Sequence, residues 1–139
     1  MKFLLLGRSG LKSKLIYEKK ENKMNKTMLG AKIHRATVTG SDLHYEGSCA
    51  IDENLIDEAG MSKFEKIDIY NINTGERFET YIIAAPRGSG TLSLNGAAAR
   101  KAVIGDLVII CSYVSVDINE VETHKPKIVL VDNKNLHVK

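Results

Sequence analysis

Gly47 and Ser48 are the residue pair with the most distinctive potential chemistry in this sequence. If the peptide bond between them is held strained, the Ser48 hydroxyl can add to the Gly47 carbonyl and convert the amide into an ester. Gly47 favours this attack because it has no Cβ and adopts backbone angles that other residues avoid. β-Elimination and hydrolysis would then turn Ser48 into a pyruvoyl group, a ketone made from the chain itself. The alternative is an ordinary loop, in which Gly and Ser are both common.

A second set of reactive side chains lies on residues 77–81, which have the composition of a strand. Alternation with a period of two places Arg77, Glu79 and Tyr81 on one face and Thr80 on the other. Arg77 can hold a carboxylate through two parallel hydrogen bonds, Tyr81 can donate a proton, and Thr80 can orient a backbone carbonyl. The alternatives are a solvated arginine, a packing tyrosine and a threonine that simply suits a strand.

The spacing of Arg77 and Tyr81 limits how they can act together. Four residues along a strand span about 13 Å, at roughly 3.3 Å per residue. One small substrate cannot contact both side chains of a single chain over that distance. Either only one of the two lies in the site, or two subunits share each site.

Residues 95–98 are predicted to begin a helix of small residues, with Asn95 as its cap. The free backbone N–H groups at such a helix start bind carboxylates or phosphates well. Gly96, Ala97 and Ala98 would let a ligand approach the backbone closely. The alternative is a tightly packed helix with an asparagine cap.

Lys32 and His34 lie on a strand predicted over residues 28–38, where alternation places them on one face with Ala36. They are placed either to approach an acidic substrate or to be solvated at a strand edge. The four histidines and two cysteines lack the spacing of metal ligands, so no metal site is predicted. Cys111 falls within an apolar strand pattern and is predicted to be a core thiol.

Charge is distributed unevenly along the 139 residues. Residues 1–23 carry seven Lys or Arg and two Asp or Glu, whereas residues 24–139 carry 13 basic and 15 acidic residues. The slightly acidic body argues against a nucleic-acid-binding domain. The apolar run at residues 3–6 is too short for a signal peptide, and no run is long enough to span a membrane. We therefore predict a cytoplasmic protein with a mobile or non-native leader over residues 1–23 and one domain over residues 24–139.

The pattern over residues 24–139 predicts a mainly β fold. A short helix is expected over residues 52–60, with Asp52 as its N-cap and Gly60 as its terminator. Many short strands with tight turns predict a small closed β-barrel. The predicted strands cover residues 28–38, 66–72, 76–85, 91–94, 107–111 and 127–131, and a helical turn covers residues 117–122.

Taken together, five blocks of this sequence resemble the family of pyruvoyl-dependent aspartate 1-decarboxylases. They follow the order and spacing of the family between Met24 and about Val131. The blocks are Thr27-Met28-Leu29, Lys32-Ile33-His34-Arg35, Asp42-Leu43-His44-Tyr45-Glu46-Gly47-Ser48, Gly75-Glu76-Arg77-Phe78-Glu79-Thr80-Tyr81 and Asn95-Gly96-Ala97-Ala98-Ala99.

The resemblance implies a double-psi β-barrel with short helices that assembles as a homotetramer and cleaves itself between Gly47 and Ser48. The β chain would end at Gly47, and the α chain would begin with a pyruvoyl cofactor derived from Ser48. By analogy, Tyr81 donates a proton, and Thr80 assists processing and contacts the substrate. The other substrate-binding positions implied by the family are Lys32, Arg77, Asn95 and the backbone of Gly96, Ala97 and Ala98.

The implied reaction is the decarboxylation of L-aspartate to β-alanine and carbon dioxide through a Schiff base on the pyruvoyl group. This lyase reaction supplies pantothenate and coenzyme A synthesis. Family sites lie between neighbouring subunits, which agrees with the distance between Arg77 and Tyr81. Some family members need a maturation factor for self-cleavage. Two other hypotheses stay open: a pyruvoyl decarboxylase for another amino acid, and an uncleaved β-barrel that acts as a binding module.

Overall fold

A computed structural model describes residues 23–139, so the predicted leader lies outside the described residues except for Lys23. Strands dominate the described part of the chain. Within it there is one α-helix, α1 (Glu53–Ala59), and there are two 3-10 helices, Gly96–Arg100 and Ile118–Thr123. The strands are β1 (Asn25–Thr37), β2 (Gly40–Asp42), β3 (Ser48–Asp52), β4 (Lys66–Asn71), β5 (Arg77–Ala85), β6 (Leu92–Asn95), β7 (Leu107–Asp117), β8 (Lys127–Val131) and β9 (His137–Val138).

The strands of the described residues form one mixed sheet in the order β2-β6-β3-β5-β4-β7-β1-β8-β9. The pairs β1–β8, β2–β6 and β3–β5 are parallel, whereas β3–β6, β4–β5, β4–β7 and β8–β9 are antiparallel. The prediction of a mainly β fold with short helices is confirmed. A mixed sheet of this kind is consistent with the predicted β-barrel family.

The chain divides into two compact units. The larger unit comprises residues 29–114 and 125–139. The smaller unit includes residues 23–28 and 115–124 of the described part, and in it Ile118 N donates to Met24 O over 2.9 Å. Asp117 caps the adjacent 3-10 helix by accepting a hydrogen bond from Asn119 N. The assignment of residues 24–139 to a single domain stays a prediction.

Alternating aliphatic side chains build the core of the larger unit. In β4, for example, Ile67 and Ile69 are almost completely buried, as a period of two requires. Burying one such side chain contributes about 1.5–3 kcal/mol, whereas an exposed ion pair such as Lys66–Glu79 contributes roughly 0–1 kcal/mol. Burial of the core side chains therefore contributes more to the free energy of unfolding than exposed ion pairs do. The largest fully buried aliphatic side chains of the core are Ile33, Ile51, Leu55, Ile67, Ile69, Ile82, Leu92, Leu94, Val38, Val108, Ile110 and Val129.

The predicted helix and both of its ends are confirmed. The carboxylate of Asp52 accepts a hydrogen bond from Asn54 N, and Gly60 closes α1 in the left-handed conformation with φ of 66°. The same buried carboxylate also accepts hydrogen bonds from Gly88 N and Gly90 N. Asp52 therefore fixes the 86–90 turn as well as the helix start.

Asn135 joins the end of the chain to two distant segments. It is fully buried and has a left-handed φ of 60°. Its Nδ2 donates to Thr37 O (2.7 Å) and Gly90 O (2.8 Å), while its Oδ1 accepts from Thr37 N (2.7 Å). These bonds satisfy the carbonyl of Gly90 and both backbone groups of Thr37, which lies beyond the last β1–β8 pair at His34.

One predicted face of β1 is wrong. Lys32 and His34 are half-buried, but Ala36 is fully buried, like Ala31 and Ile33 of the core. The cause is Arg35, whose φ of 64° interrupts the extended backbone and shifts the alternation by one residue. Ala36 therefore lies on the core face and does not share a face with Lys32 and His34.

Candidate functional site

Ser48 is the first residue of β3, and its side chain is buried, with 1% of its surface exposed. On one side, Ser48 is paired with Asn95 of β6 in the antiparallel ladder. On the other side, β3 runs parallel to β5, and Cys49 is paired with Ile82. Ser48 and Tyr81 each come one residue before this pair, so they are neighbours on adjacent strands. The sheet therefore brings the predicted cleavage site next to the predicted proton donor.

The hydroxyl of Ser48 makes two hydrogen bonds. Asn95 Nδ2 donates to Ser48 Oγ over 3.1 Å, and Ser48 Oγ donates to the backbone carbonyl of Glu46 over 3.2 Å. Asn95 itself is 5% exposed, so its N–H is directed to the serine in a site largely shielded from water. A donor of this kind stabilises negative charge on Oγ as the hydroxyl proton leaves.

The predicted capping role of Asn95 is wrong. Asn95 occupies the N-cap position, but its side chain makes no capping hydrogen bond, and the helix it precedes is a 3-10 helix over Gly96–Arg100. The pairing of β6 with β3 directs the side chain towards Ser48, while its Oδ1 accepts a long hydrogen bond from Ser93 Oγ at 3.4 Å. Asn95 therefore belongs to the environment of the serine.

Gly96 lies directly against the backbone of Gly47. A Cβ added at Gly96 would come within 2.6 Å of Gly47 Cα, 2.8 Å of Gly47 N and 3.2 Å of Tyr45 O. Gly96 also has a φ of 68°, which side chains rarely adopt. Two independent constraints therefore require glycine here. Ala97 and Ala98 follow in the same 3-10 helix and are exposed and half-buried, respectively.

The predicted alternation along β5 is confirmed. Arg77, Glu79 and Tyr81 are exposed, whereas Thr80 is half-buried. Tyr81 retains 38% of its surface and is thus accessible to a small molecule. We call Ser48, Thr80, Tyr81, Asn95 and Gly96 the serine cluster.

Arg77 begins β5 and belongs to a different group of side chains. Its guanidinium carbon lies 3.7 Å from the centroid of the Tyr70 ring. Burial raises the pKa of the Cys111 thiol, while a hydrogen bond from Tyr113 and the charges of Lys32 and Arg77 act in the opposite direction. Both cationic side chains therefore act on this thiol, Lys32 from β1 and Arg77 from β5. We call Tyr70, Arg77 and Tyr113 the arginine cluster.

The two clusters lie at different positions along β5. In its ladder with β4, Arg77 is paired with Tyr70 and Tyr81 with Lys66, four residues further along. That spacing corresponds to about 13 Å. The structure thus brings Ser48, Tyr81 and Asn95 together, and it places Arg77 apart from them on the same strand as Tyr81.

Tyr70 and Tyr113 are the functional candidates that the sequence reasoning missed. Their hydroxyl oxygens lie 2.7 Å apart, and Tyr70 OH also donates to Asp68 Oδ2 over 3.3 Å. The strands predicted over residues 66–72 and 76–85 could have indicated Tyr70, since their pairing as a hairpin places it opposite Arg77. Tyr113 is separated from Tyr70 by 43 residues, and no local signal links them.

Two features are absent from residues 23–139. Their His, Cys, Asp and Glu side chains include no group of three arranged to hold a metal ion. No helix in this part of the chain is both long enough and apolar enough to cross a membrane.

The fold and the serine cluster define a mainly β protein with a buried serine behind an accessible glycine, and sequence comparison identifies its family. Residues 24–138 match the sequence model of aspartate decarboxylase. The chain belongs to the aspartate decarboxylase family.

Similar proteins include three that are named aspartate 1-decarboxylase. The one from Polynucleobacter asymbioticus is 68% identical over 112 residues, which cover 81% of this chain and 93% of that protein. The one from Bordetella avium is 63% identical over 112 residues, covering 81% and 92%. The one from Ralstonia pickettii is 60% identical over 112 residues, covering 81% and 93%.

Proposed function

We propose that this protein is a pyruvoyl-dependent aspartate 1-decarboxylase, a lyase that converts L-aspartate into β-alanine and carbon dioxide for pantothenate and coenzyme A synthesis. The observation that carries the proposal is 60–68% identity to proteins of that name over 81% of the chain. The buried position of Ser48 directly after an exposed Gly47 supports it independently.

The chain makes its own reactive group by cleavage between Gly47 and Ser48. Ser48 Oγ attacks the Gly47 carbonyl carbon, and the peptide C–N bond breaks to leave an ester. β-Elimination releases the Gly47 carboxylate and leaves dehydroalanine at position 48, which loses ammonia on hydrolysis. The β chain then ends at Gly47, and the α chain begins with the pyruvoyl group. Asn95 supports the attack because its amide donates to the attacking Oγ.

The surroundings of Ser48 fit such a group. Strands β5 and β6 hold it from both sides, and the space where a Cβ of Gly47 would lie contains no heavy atom within 4 Å. The backbone at the cut is thus not enclosed on the Cβ side of Gly47. The ketone supplies an electron sink for the electrons that remain when carbon dioxide leaves.

The serine cluster would supply the proton and part of the substrate contacts. The Tyr81 hydroxyl donates a proton to the substrate α-carbon, and Thr80 assists cleavage and contacts the substrate. The backbone of Gly96, Ala97 and Ala98 and the amide of Asn95 bind the substrate next to residue 48. The short distance along the ladder between Tyr81 and Ser48 supports these roles.

Arg77 and Lys32 would hold the substrate carboxylates from a neighbouring subunit. A guanidinium binds a carboxylate through two parallel hydrogen bonds and favours an amino acid with a second carboxylate over a neutral one. Because the two clusters are separated along β5, each site would combine the serine cluster of one copy with the arginine cluster of another. We propose a homotetramer of this kind in the cytoplasm.

The first expected result is two fragments and one preferred substrate. Purified protein should give a β chain that ends at Gly47 and a larger α chain without a free amino terminus, both identified by intact mass. L-Aspartate should then yield carbon dioxide and β-alanine, whereas L-glutamate and L-alanine should not. Cleavage with preference for glutamate would favour a different pyruvoyl decarboxylase. An intact chain after prolonged incubation, also with a cell extract that can supply a maturation factor, would favour the binding module.

A second expected result concerns the shared site. Tyr81→Phe and Arg77→Leu should each abolish most activity. When the two variants are co-expressed, about a quarter of the sites should combine an unaltered serine cluster from one copy with an unaltered arginine cluster from another, and these sites should be active. Arg87→Leu is the matched control, since this exposed arginine pairs with Glu53 and Asp57 and lies in neither cluster. Co-assembled variants that stay as inactive as either one alone would exclude a site shared in this way.

A further inference from the structure

The guanidinium of Arg77 lies over the ring of Tyr70. Arg77 and Tyr70 are cross-strand partners in the β4–β5 hairpin, and the guanidinium carbon lies 3.7 Å from the centre of the phenol ring. Cations bind the face of an aromatic ring because the ring quadrupole is negative there. Stacking by the face leaves the N–H groups at the guanidinium edge directed away from the ring.

The edge of the Arg77 guanidinium is available to a ligand. Among the described residues, no Asp or Glu forms an ion pair with it, in contrast to Arg87, which is paired with Glu53 and Asp57. Arg77 borders a cleft of about 300 Å³ that is also lined by Asp68, Tyr70, Phe78 and Glu79. A carboxylate in this cleft can meet both N–H groups of one guanidinium edge at once.

The Tyr70 ring is itself fixed at its hydroxyl end. Tyr70 OH donates to Asp68 Oδ2 over 3.3 Å and lies 2.7 Å from Tyr113 OH. Burial, followed by the hydrogen bond with Tyr113, raises the pKa of Tyr70, so the phenol stays protonated and keeps its donor. The ring is thus held by β4 at its Cα and by β7 at its hydroxyl.

We propose that Tyr70 is a positioning residue that fixes the plane of the Arg77 guanidinium, and that Tyr113 fixes Tyr70. The tyrosine pair would thereby set the affinity for a dicarboxylic amino acid without contacting the reacting atoms. The inference rests on the proposed function, in which Arg77 binds a substrate carboxylate. A merely structural role for the pair would instead alter folding or self-cleavage and leave the affinity of correctly folded sites unchanged.

Three variants separate the two roles. Tyr70→Leu removes the stacking ring and should raise KM for L-aspartate roughly 5- to 30-fold while kcat per cleaved chain changes by less than about threefold. Competitive inhibition by succinate should weaken by the same factor.

Tyr70→Phe and Tyr113→Phe keep the rings and remove one hydroxyl each, so each should raise KM by only about two- to fivefold. Their effects should not add, because both remove the same hydrogen bond.

Two further variants serve as controls for the effect of Tyr70→Leu on KM. Tyr70→Trp restores a ring under Arg77 and should recover most of the affinity lost in Tyr70→Leu. Phe64→Leu removes an exposed aromatic side chain outside both clusters and should leave KM unchanged. The extent of cleavage is measured by intact mass and folding by thermal melting in every variant.

The outcomes distinguish the inference from the proposed function. If the wild-type protein is cleaved and decarboxylates aspartate, but KM and succinate inhibition are unchanged in Tyr70→Leu and both Phe variants, the positioning role is wrong and the proposed function stands. A loss confined to cleavage or melting temperature, with unchanged KM, also overturns it. If the wild-type protein does not act on aspartate, the proposed function itself fails.

Discussion

Ser48→Ala is expected to remain a single uncut chain and to release no carbon dioxide from L-aspartate. In the proposed mechanism the substitution removes the hydroxyl that attacks the Gly47 carbonyl, and without cleavage no ketone forms. Ser48 Oγ is buried and accepts a hydrogen bond from Asn95 Nδ2, so alanine removes a hydroxyl that is already held in place. Intact mass over several days, together with trapped carbon dioxide, measures both effects.

A second serine provides the matched control for this variant. Ser112 is 3% exposed, close to the 1% of Ser48, but Cys111 and not a glycine precedes it. Ser112→Ala should therefore be cleaved at the wild-type rate. Carbon dioxide release by an uncut Ser48→Ala protein would show that the reaction does not depend on a group made from residue 48.

Gly96→Ala is expected to slow self-cleavage by about 100-fold, because a displacement of about 1 Å at a reacting group can cost that much. The new Cβ would fall 2.6 Å from Gly47 Cα, where no side-chain rotation can relieve the contact. The Gly47 backbone must then shift, and with it the carbonyl that Ser48 attacks. The fraction of cleaved chain against time, followed by intact mass, gives the rate.

The control for Gly96→Ala separates the clash from the backbone strain. Gly60 has nearly the same conformation, with φ of 66° against 68°, but a Cβ there would meet no heavy atom within 4 Å. Gly60→Ala should thus lower the free energy of unfolding by about 1 kcal/mol and leave cleavage unchanged. A folded Gly96→Ala protein that is cleaved at the wild-type rate would mean that this contact does not hold the Gly47 backbone for reaction.

The features that could be predicted from the sequence are those with local causes. Helix α1 follows from Asp52 at its start and Gly60 at its end, and both signals lie within one turn of the helix they limit. The bounds predicted for a strand over residues 127–131 are those observed for β8. The exposure pattern of Arg77, Glu79 and Tyr81 follows from the alternation of a regular strand.

The features that could not be predicted depend on distant parts of the chain. The left-handed backbone at Arg35 has no residue signal, since arginine rarely adopts it, yet it decides which face Ala36 occupies. Asn95 has the composition of a helix cap, but its side chain is directed by a strand 47 residues away. The roles of the site residues stay predictions, supported by the two clusters and by the family.

The strand order has a consequence for what a cut at residue 47 would do to the molecule. Strands β1 and β2 belong to the part before the cut, but β1 lies between β7 and β8, and β2 is paired with β6. Three hydrogen bonds tie Asn135 to the backbone of Thr37 and Gly90, of which Thr37 lies before the cut. The two products would therefore be interleaved within one sheet, and neither could dissociate without unfolding the other. Cleavage would thus create a new chain end inside the protein while its two products stay associated.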